Sequence, residues 1–328
     1  MLFGQSLFSL QFITLLNYPT IMPIWKKSDG QTVRIGVLLF DQFSNHCLAN
    51  AVEPLRAAND LSGEVLFEWE FLSLAKSSII SSSGMEISTR GRLYQHSGDM
   101  LFVIPSYEFR GHSDALAHAG LRMAAQRYTA LIGFDTGAWL MAAAELLEGR
   151  KATIHWEELE AFSEAFPDVN VVRERFVIDG DRITCTGAMA AFDLVLALIA
   201  DLKGEALRQD LSTLFMSDGR EGVGPKDRSV AKAIALMQAN FEEPLLISDL
   251  AQRVGLSHKV LDARMKAVLG ATPRQVYRRQ RMVFARKLVI ETTLSVSEIA
   301  IRCGYQDATA LTRAFGVEFG TNPRALRG

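Results

Sequence analysis

The chain has 328 residues, enough for two domains that each bury a core, and 48% of them are apolar, which excludes a disordered polypeptide. The net charge of −2 conceals a division: residues 229–328 carry 15 Lys and Arg against 8 Asp and Glu, whereas residues 1–228 carry 20 against 29. Only the basic end suits a polyanion such as nucleic acid.

The first 30 residues read as a leader with no fold of their own, with Met22 as an alternative start. No basic residue precedes the apolar run Leu7–Leu16, and no small-x-small cleavage site follows it. The run is also shorter than the ~20 apolar residues that span a bilayer. Residues 31–203 alternate strand and helix. Short apolar runs at Val33–Phe40, Met100–Ile104 and Ala130–Phe134 predict buried parallel strands. Between them, helices are predicted over Leu48–Leu61 and about Ser113–Arg127, and a further helix over Thr136–Leu147. Strand-like segments follow at Thr153–His155, Val169–Val172, Arg175–Ile178 and Arg182–Cys185, and an apolar helix at Met189–Leu202 closes the domain. That order predicts an α/β domain with a parallel sheet and helices on both faces. Residues 204–228, polar and glycine-rich over Ser217–Pro225, read as a linker.

Residues 229–328 predict an all-α domain built on a repeat. Ile247-Ser-Asp-Leu-Ala-Gln-Arg-Val-Gly-Leu-Ser returns as Val296-Ser-Glu-Ile-Ala-Ile-Arg-Cys-Gly-Tyr-Gln, and Leu261, Met265, Gly270 and Pro273 return as Leu311, Phe315, Gly320 and Pro323. Each copy, about 247–269 and 296–319, is a helix, a glycine turn and a second helix, which is the pattern of a helix-turn-helix. Ser257 and Asp307 are placed to cap the second helix of each copy, and Ser295 with Glu298 forms a capping box. A long helix carrying Arg274, Arg278, Arg279, Arg281, Arg286 and Lys287 joins the copies. In such units the leading end of the second helix reaches base edges. That assigns DNA contacts to Ser257, His258, Lys259, Asp262 and Lys266 in the first copy and to Ala308, Thr309, Thr312 and Arg313 in the second.

In the α/β domain, Asp135 falls on the sharp turn between a strand and a helix, where many α/β enzymes keep a nucleophile. Around it, Asp135-Thr-Gly-Ala, Leu146-Leu-Glu-Gly-Arg-Lys-Ala-Thr, His155-Trp156 and Thr186-Gly-Ala-Met-Ala-Ala-Phe-Asp resemble the ThiJ/PfpI, or class I glutamine amidotransferase-like, family. The resemblance covers about Val33–Leu202 and is strongest to the GlxA-like branch. The tail closely resembles the AraC/XylS family through Glu298-Ile-Ala, Gly304-Tyr305, Arg313-Ala-Phe, Phe319-Gly320 and Asn322-Pro-Arg.

The first resemblance implies a flavodoxin-like fold and, at the elbow, a cysteine; this chain has Asp135 instead. The turn after the preceding strand, Ile104-Pro105-Ser106-Tyr107, also loses a backbone donor at Pro105. Both departures predict that no catalytic residue survives, and no cofactor or metal is expected. What remains is a crevice for a small-molecule effector, with Glu53 (where the family keeps an acidic residue), Ser106, Tyr107, Asp135, Thr136, Trp156 and Glu157 as candidates. The branch implies a nitrogenous metabolite such as betaine, carnitine or arginine. The rival readings are a DNA-tethered amidase or glyoxalase-like enzyme and a ligand-free dimerising regulator. Operator DNA and RNA polymerase are the expected partners, and no membrane partner is expected; helices on the faces of the N-terminal domain could also pair two copies as a homodimer, which no sequence feature decides. Cys47, Cys185 and Cys303 form no CxxC or metal spacing, which fits a cytoplasmic protein.

Overall fold

The computed structural model describes residues 31–215 and 227–327. The leader expected at 1–30, with Met22, lies outside them, as does 216–226 of the expected linker. The N-terminal domain runs β1 (Val33–Leu39), α1 (Asn45–Ser62), β2 (Phe67–Ser73), β3 (Ser78–Ile80), β4 (Glu86–Ser88), β5 (Gly91–Arg92), β6 (Gly98–Ile104), α2 (Ala115–Ala124), β7 (Tyr128–Gly133) and α3 (Gly137–Ala143). It continues with β8 (Lys151–Ala152), α4 (Leu159–Ala165), β9 (Asn170–Val171), β10 (Phe176–Asp179), β11 (Arg182–Cys185), α5 (Ala188–Lys203) and α6 (Glu205–Leu214).

Seven strands form the main sheet in the order β10-β11-β7-β6-β1-β2-β5. Its neighbours are parallel except the β10–β11 hairpin. Both faces are covered, which is why β1 is apolar at nearly every position: Val33, Ile35, Val37 and Leu39 enter one core and Leu38 the other. Helices α1 and α5 supply the first core; α2, α3 and α4 supply the second. The chain order reverses between β1 and β6, which leaves the loops after the central strands free to form a crevice at the carboxyl edge of the sheet.

Three expectations need correction. The helix expected to reach Leu147 stops at Ala143, because Glu145 takes φ +64 and Leu146 N–H turns back to the Met141 carbonyl at 3.0 Å. Thr153–His155 is no strand; its N–H groups find partners outside any ladder, Thr153 donating to Thr184 Oγ1 at 2.9 Å and His155 to the Asp135 carbonyl at 3.1 Å. Within the expected linker, residues 205–214 form α6, which packs on α1 and α5 with one side and on the C-terminal domain with the other. Arg208, Gln209, Asp210, Leu211, Ser212 and Thr213 are all buried, so α6 has almost no solvent face. Its polar side chains satisfy one another: Arg208 donates to Glu205 at 2.7 Å and to Ser212 and Gln209.

The C-terminal domain comprises α7 (Arg228–Gln238), α8 (Ile247–Arg253), α9 (His258–Leu269), α10 (Pro273–Glu291), α11 (Val296–Arg302), α12 (Ala308–Phe319) and α13 (Pro323–Arg327). Helices α8–α9 and α11–α12 are the two repeated units. Gly255 and Gly304, at the turns, have φ +73 and +69, a region that disfavours any side chain. Each unit has its own core, Leu261, Met265 and Leu269 in the first, and Leu311 and Phe315 with Ile299 in the second. The capping expectations hold: Ser257 accepts from Val260 N–H, Asp307 from Ala310 N–H, and Ser295 and Glu298 form the capping box. Leu246, at the cap position of α8, offers no side-chain acceptor.

Candidate functional site

The crevice lies over the ends of β6 and β7. Asp135 occupies the turn between β7 and α3 with φ +60, a conformation that costs on the order of 1–3 kcal/mol for a residue with a side chain. Close packing of α3 on the sheet imposes it. A Cβ on Gly137 would lie 2.5 Å from the Val103 carbonyl oxygen, and one on Gly133 would lie 2.8 Å from Ala138 N. The Thr136 hydroxyl donates to the Ser106 carbonyl at 2.6 Å, and His155 N–H donates to the Asp135 carbonyl at 3.1 Å. The elbow, the β6 turn and the segment after β8 are thereby tied together.

The resulting pocket has a volume of about 510 Å³. Of the candidate effector contacts, Ser106, Tyr107, Asp135, Thr136 and Glu157 line it, together with Phe109, Arg110, His155 and Glu158. Two expected residues do not belong. Glu53 is exposed on α1, whose buried positions include Leu48, Ala51, Val52, Leu55 and Ala58, and it pairs with Arg56 at 2.7 Å. Trp156 is 67% exposed and packs beside His155 rather than into the pocket. Arg110 has no periodic signal in the sequence. It is placed by its guanidinium, which lies 4.6 Å from the Phe109 ring centroid and 4.5 Å from that of Trp139 and pairs with Glu158 at 2.5 Å.

The pocket is acidic, with Glu108, Asp135, Glu157 and Glu158 set against Arg110. Burial pushes the Asp135 carboxyl above the usual carboxylate range; the Ser106 hydroxyl and the His155 imidazole oppose that without cancelling it. The Ser106 Oγ is itself buried and makes no well-formed hydrogen bond within the protein. Such an atom can be served by a polar group entering the pocket, water or ligand alike. The nearby thiols are inert: burial, with Asp135 adding to it, pushes Cys47 far up, and burial lifts Cys185 to about 12. Among the described residues no cluster of three or more His, Cys, Asp and Glu side chains is arranged to hold a metal ion. No described helix is long and apolar enough to cross a membrane.

On α9, Ser257, His258, Lys259 and Lys266 are exposed and Asp262 is half-buried. Lys266 pairs with Asp262 at 2.9 Å, one turn apart, so part of its charge is already engaged. On α12, Thr309 and Arg313 are exposed and Ala308 and Thr312 half-buried. The Thr312 hydroxyl donates to the Ala308 carbonyl at 2.7 Å and is thus partly spent on its own helix. Thr309, Thr312 and Arg313 share a groove with Asn322 and Arg324, a second cation beside Arg313 that periodicity had not singled out.

Two helix-turn-helix units on one spacer helix, joined to an α/β domain with an elbow pocket, define a DNA-binding transcription regulator. Residues 250–328 match the model of the helix-turn-helix domain family. The chain is 34% identical to the HTH-type transcriptional regulator CdhR of Pseudomonas aeruginosa over 87% of its own length and 89% of that protein's. It is 33% identical to GbdR of the same species, over 89% and 83%, and 32% identical to GlxA of Rhizobium meliloti, over 92% and 97%. A ThiJ/PfpI family protein from Pseudomonas syringae superposes with a TM-score of 0.51 at 15% identity, covering 83% of this chain and 97% of that one. The chain therefore belongs to the AraC family of transcription regulators, in the GlxA-like branch whose N-terminal domain has the ThiJ/PfpI fold.

Proposed function

We propose that this regulator is an activator, recruiting RNA polymerase, and that its DNA binding answers to a small nitrogenous metabolite held at the elbow. The observation that carries the effector reading is the acidic pocket itself, with the half-satisfied Ser106 hydroxyl and the buried Asp135 carboxyl turned toward one another at its floor and Arg110 across from them. The carboxylates suit an ammonium group and Arg110 suits a carboxylate, so a zwitterion of the betaine, carnitine or amino-acid kind matches both ends. A volume of about 510 Å³ is ample for such a molecule. The domain is read as non-catalytic, because the elbow holds a carboxylate and the neighbouring thiols stay protonated.

On the DNA side, Ser257, His258 and Lys259 with Asp262 and Lys266 contact one major-groove segment. Ala308, Thr309, Thr312 and Arg313 contact the next, about 34 Å along the duplex. The N-terminal domain pairs two copies. Thermal denaturation of the full chain with millimolar glycine betaine, carnitine, arginine, glycerol or succinate tests the effector. A ligand at a hundredfold its Kd adds about 2.7 kcal/mol, or roughly 5–10 °C in a domain of this size. A rise with one zwitterion, lost in Asp135→Ala, supports the proposal; equal responses to zwitterions and to glycerol overturn it.

A further inference from the structure

The two units have separate cores, so something beyond the spacer helix must hold them at one separation. One turn of α10 makes the connection to both. The Tyr277 hydroxyl donates to the Asn240 carbonyl at 2.6 Å and accepts from Leu245 N–H at 3.3 Å, which secures the segment leading into unit one. Four residues on, Arg281 donates to the Cys303 and Gly304 carbonyls at 3.2 and 3.1 Å, which secures the turn of unit two. Its guanidinium lies 4.7 Å from the Tyr305 ring centroid and 5.7 Å from that of Tyr277. The segment leading into unit one also touches the turn of unit two directly: a Cβ on Gly304 would come 2.5 Å from both the Phe241 carbonyl oxygen and Pro244 Cγ. Because the Cys303 and Gly304 carbonyls end α11, their position sets where α12 begins.

We propose that Tyr277, Arg281 and Tyr305 are positioning residues that fix the separation and angle of the two reading helices, and so restrict the protein to one spacing of its two DNA segments. None of the three need touch a base. The inference rests on both units binding DNA together, as proposed above. The guanidinium suits the task because its planar fork reaches two carbonyls at once while both ring faces hold it in place.

The test is selection from randomised duplexes by the full chain, followed by affinity measurements on the selected site with one base pair inserted or removed between its segments. Wild type is expected to lose at least about tenfold on either change, since a base pair turns one segment out of phase with the other. Arg281→Ala should select the same two segments at a wider range of spacings and lose no more than about threefold on insertion. Arg281→Lys, with one point charge in place of the fork, should fall between them. Tyr305→Leu removes the ring and leaves both carbonyls paired, so it serves if Arg281→Ala does not fold, and the same relaxed spacing is expected. Unchanged spacing preference in the folded variants, with wild type selecting two segments, overturns the positioning role alone. Selection of a single segment by wild type overturns both this inference and the two-unit reading.

Discussion

Asp210→Asn should stabilise the protein at neutral pH although it deletes an ion pair. Asp210 on α6 bonds Arg279 of α10 at 3.0 Å across the domain junction, and Arg279 also bonds Glu318 at 2.6 Å and the Leu61 carbonyl. Burial pushes the Asp210 carboxyl from 3.8 up to about 6, against the pull of Arg279 and with Glu318 adding to the rise. Arg279 moves the opposite way: burial lowers it, but its two carboxylate partners outweigh that, and its charge persists at every working pH. Arg279 thus divides its charge between two carboxylates; Glu318 has Arg278 at 3.7 Å as well, whereas the buried Asp210 has no second cation among the described residues and is left under-compensated. A carboxyl with a raised folded pKa binds its proton more tightly in the folded state. The stability this brings is complete below about pH 4 and is lost as pH climbs through about 6. At ~1.4 kcal/mol for each pH unit between those limits, the loss amounts to about 3 kcal/mol. Asparagine keeps an acceptor for Arg279 without the charge. Denaturant unfolding of both proteins at pH 4.5, 6 and 7.5 should therefore show a small difference at the lowest pH, widening to as much as about 3 kcal/mol in favour of the variant. A variant less stable than wild type by about 1 kcal/mol or more at pH 7.5 would refute the reasoning, because the pair would then be a net stabiliser.

Other outcomes follow from the same geometry. Arg313→Ala should weaken binding to the selected duplex by about 1–3 kcal/mol and relax preference in the segment read by α12 only, as titrations on substituted duplexes would show. Lys259→Ala, at the leading end of α9, should weaken binding by about 1–3 kcal/mol and relax preference only in the segment read by α9, on the same substituted duplexes. Gly304→Ala combines a left-handed φ with a 2.5 Å clash, so it should cost more than about 1 kcal/mol, read as a lower melting temperature of the C-terminal domain. Phe315→Ala empties the centre of unit two and should cost about 3–5 kcal/mol by the same measurement.

The features legible in the sequence were those set by local chemistry. Cap residues such as Ser257, Ser295 and Asp307 act within three residues of themselves, and the apolar spacing of Leu261, Met265 and Leu269 names its own buried face. The elbow at Asp135 was legible because a strand, a polar residue and a small-residue helix start must be contiguous to make one. Arg110 was not, since its place depends on Trp139 and Glu158, far along the chain. Glu53 was misplaced for a related reason: its position in sequence suited the pocket, but the register of α1 turned it outward to Arg56. The helix within residues 204–214 carries an apolar stripe, Leu207, Leu211 and Leu214, that faces the first core; what could not be read was the burial of its polar side, because the partners Arg279 and Lys287 lie some seventy residues on.

That helix bears on how regulators of this kind can be recombined. Helix α6 covers Val283 of α10 on one side and completes the first core of the α/β domain on the other, and Lys287 bonds its last carbonyl, that of Leu214, at 2.9 Å. A chimera joined at residue 203, where the composition changes, would strip the spacer helix of its cover and leave Arg279 facing Glu318 alone. The workable joint falls after residue 215, so that α6 travels with its own α/β domain. Even then a foreign module must present a hydrogen-bond acceptor, charged or neutral, and an apolar patch in register with Arg279 and Val283.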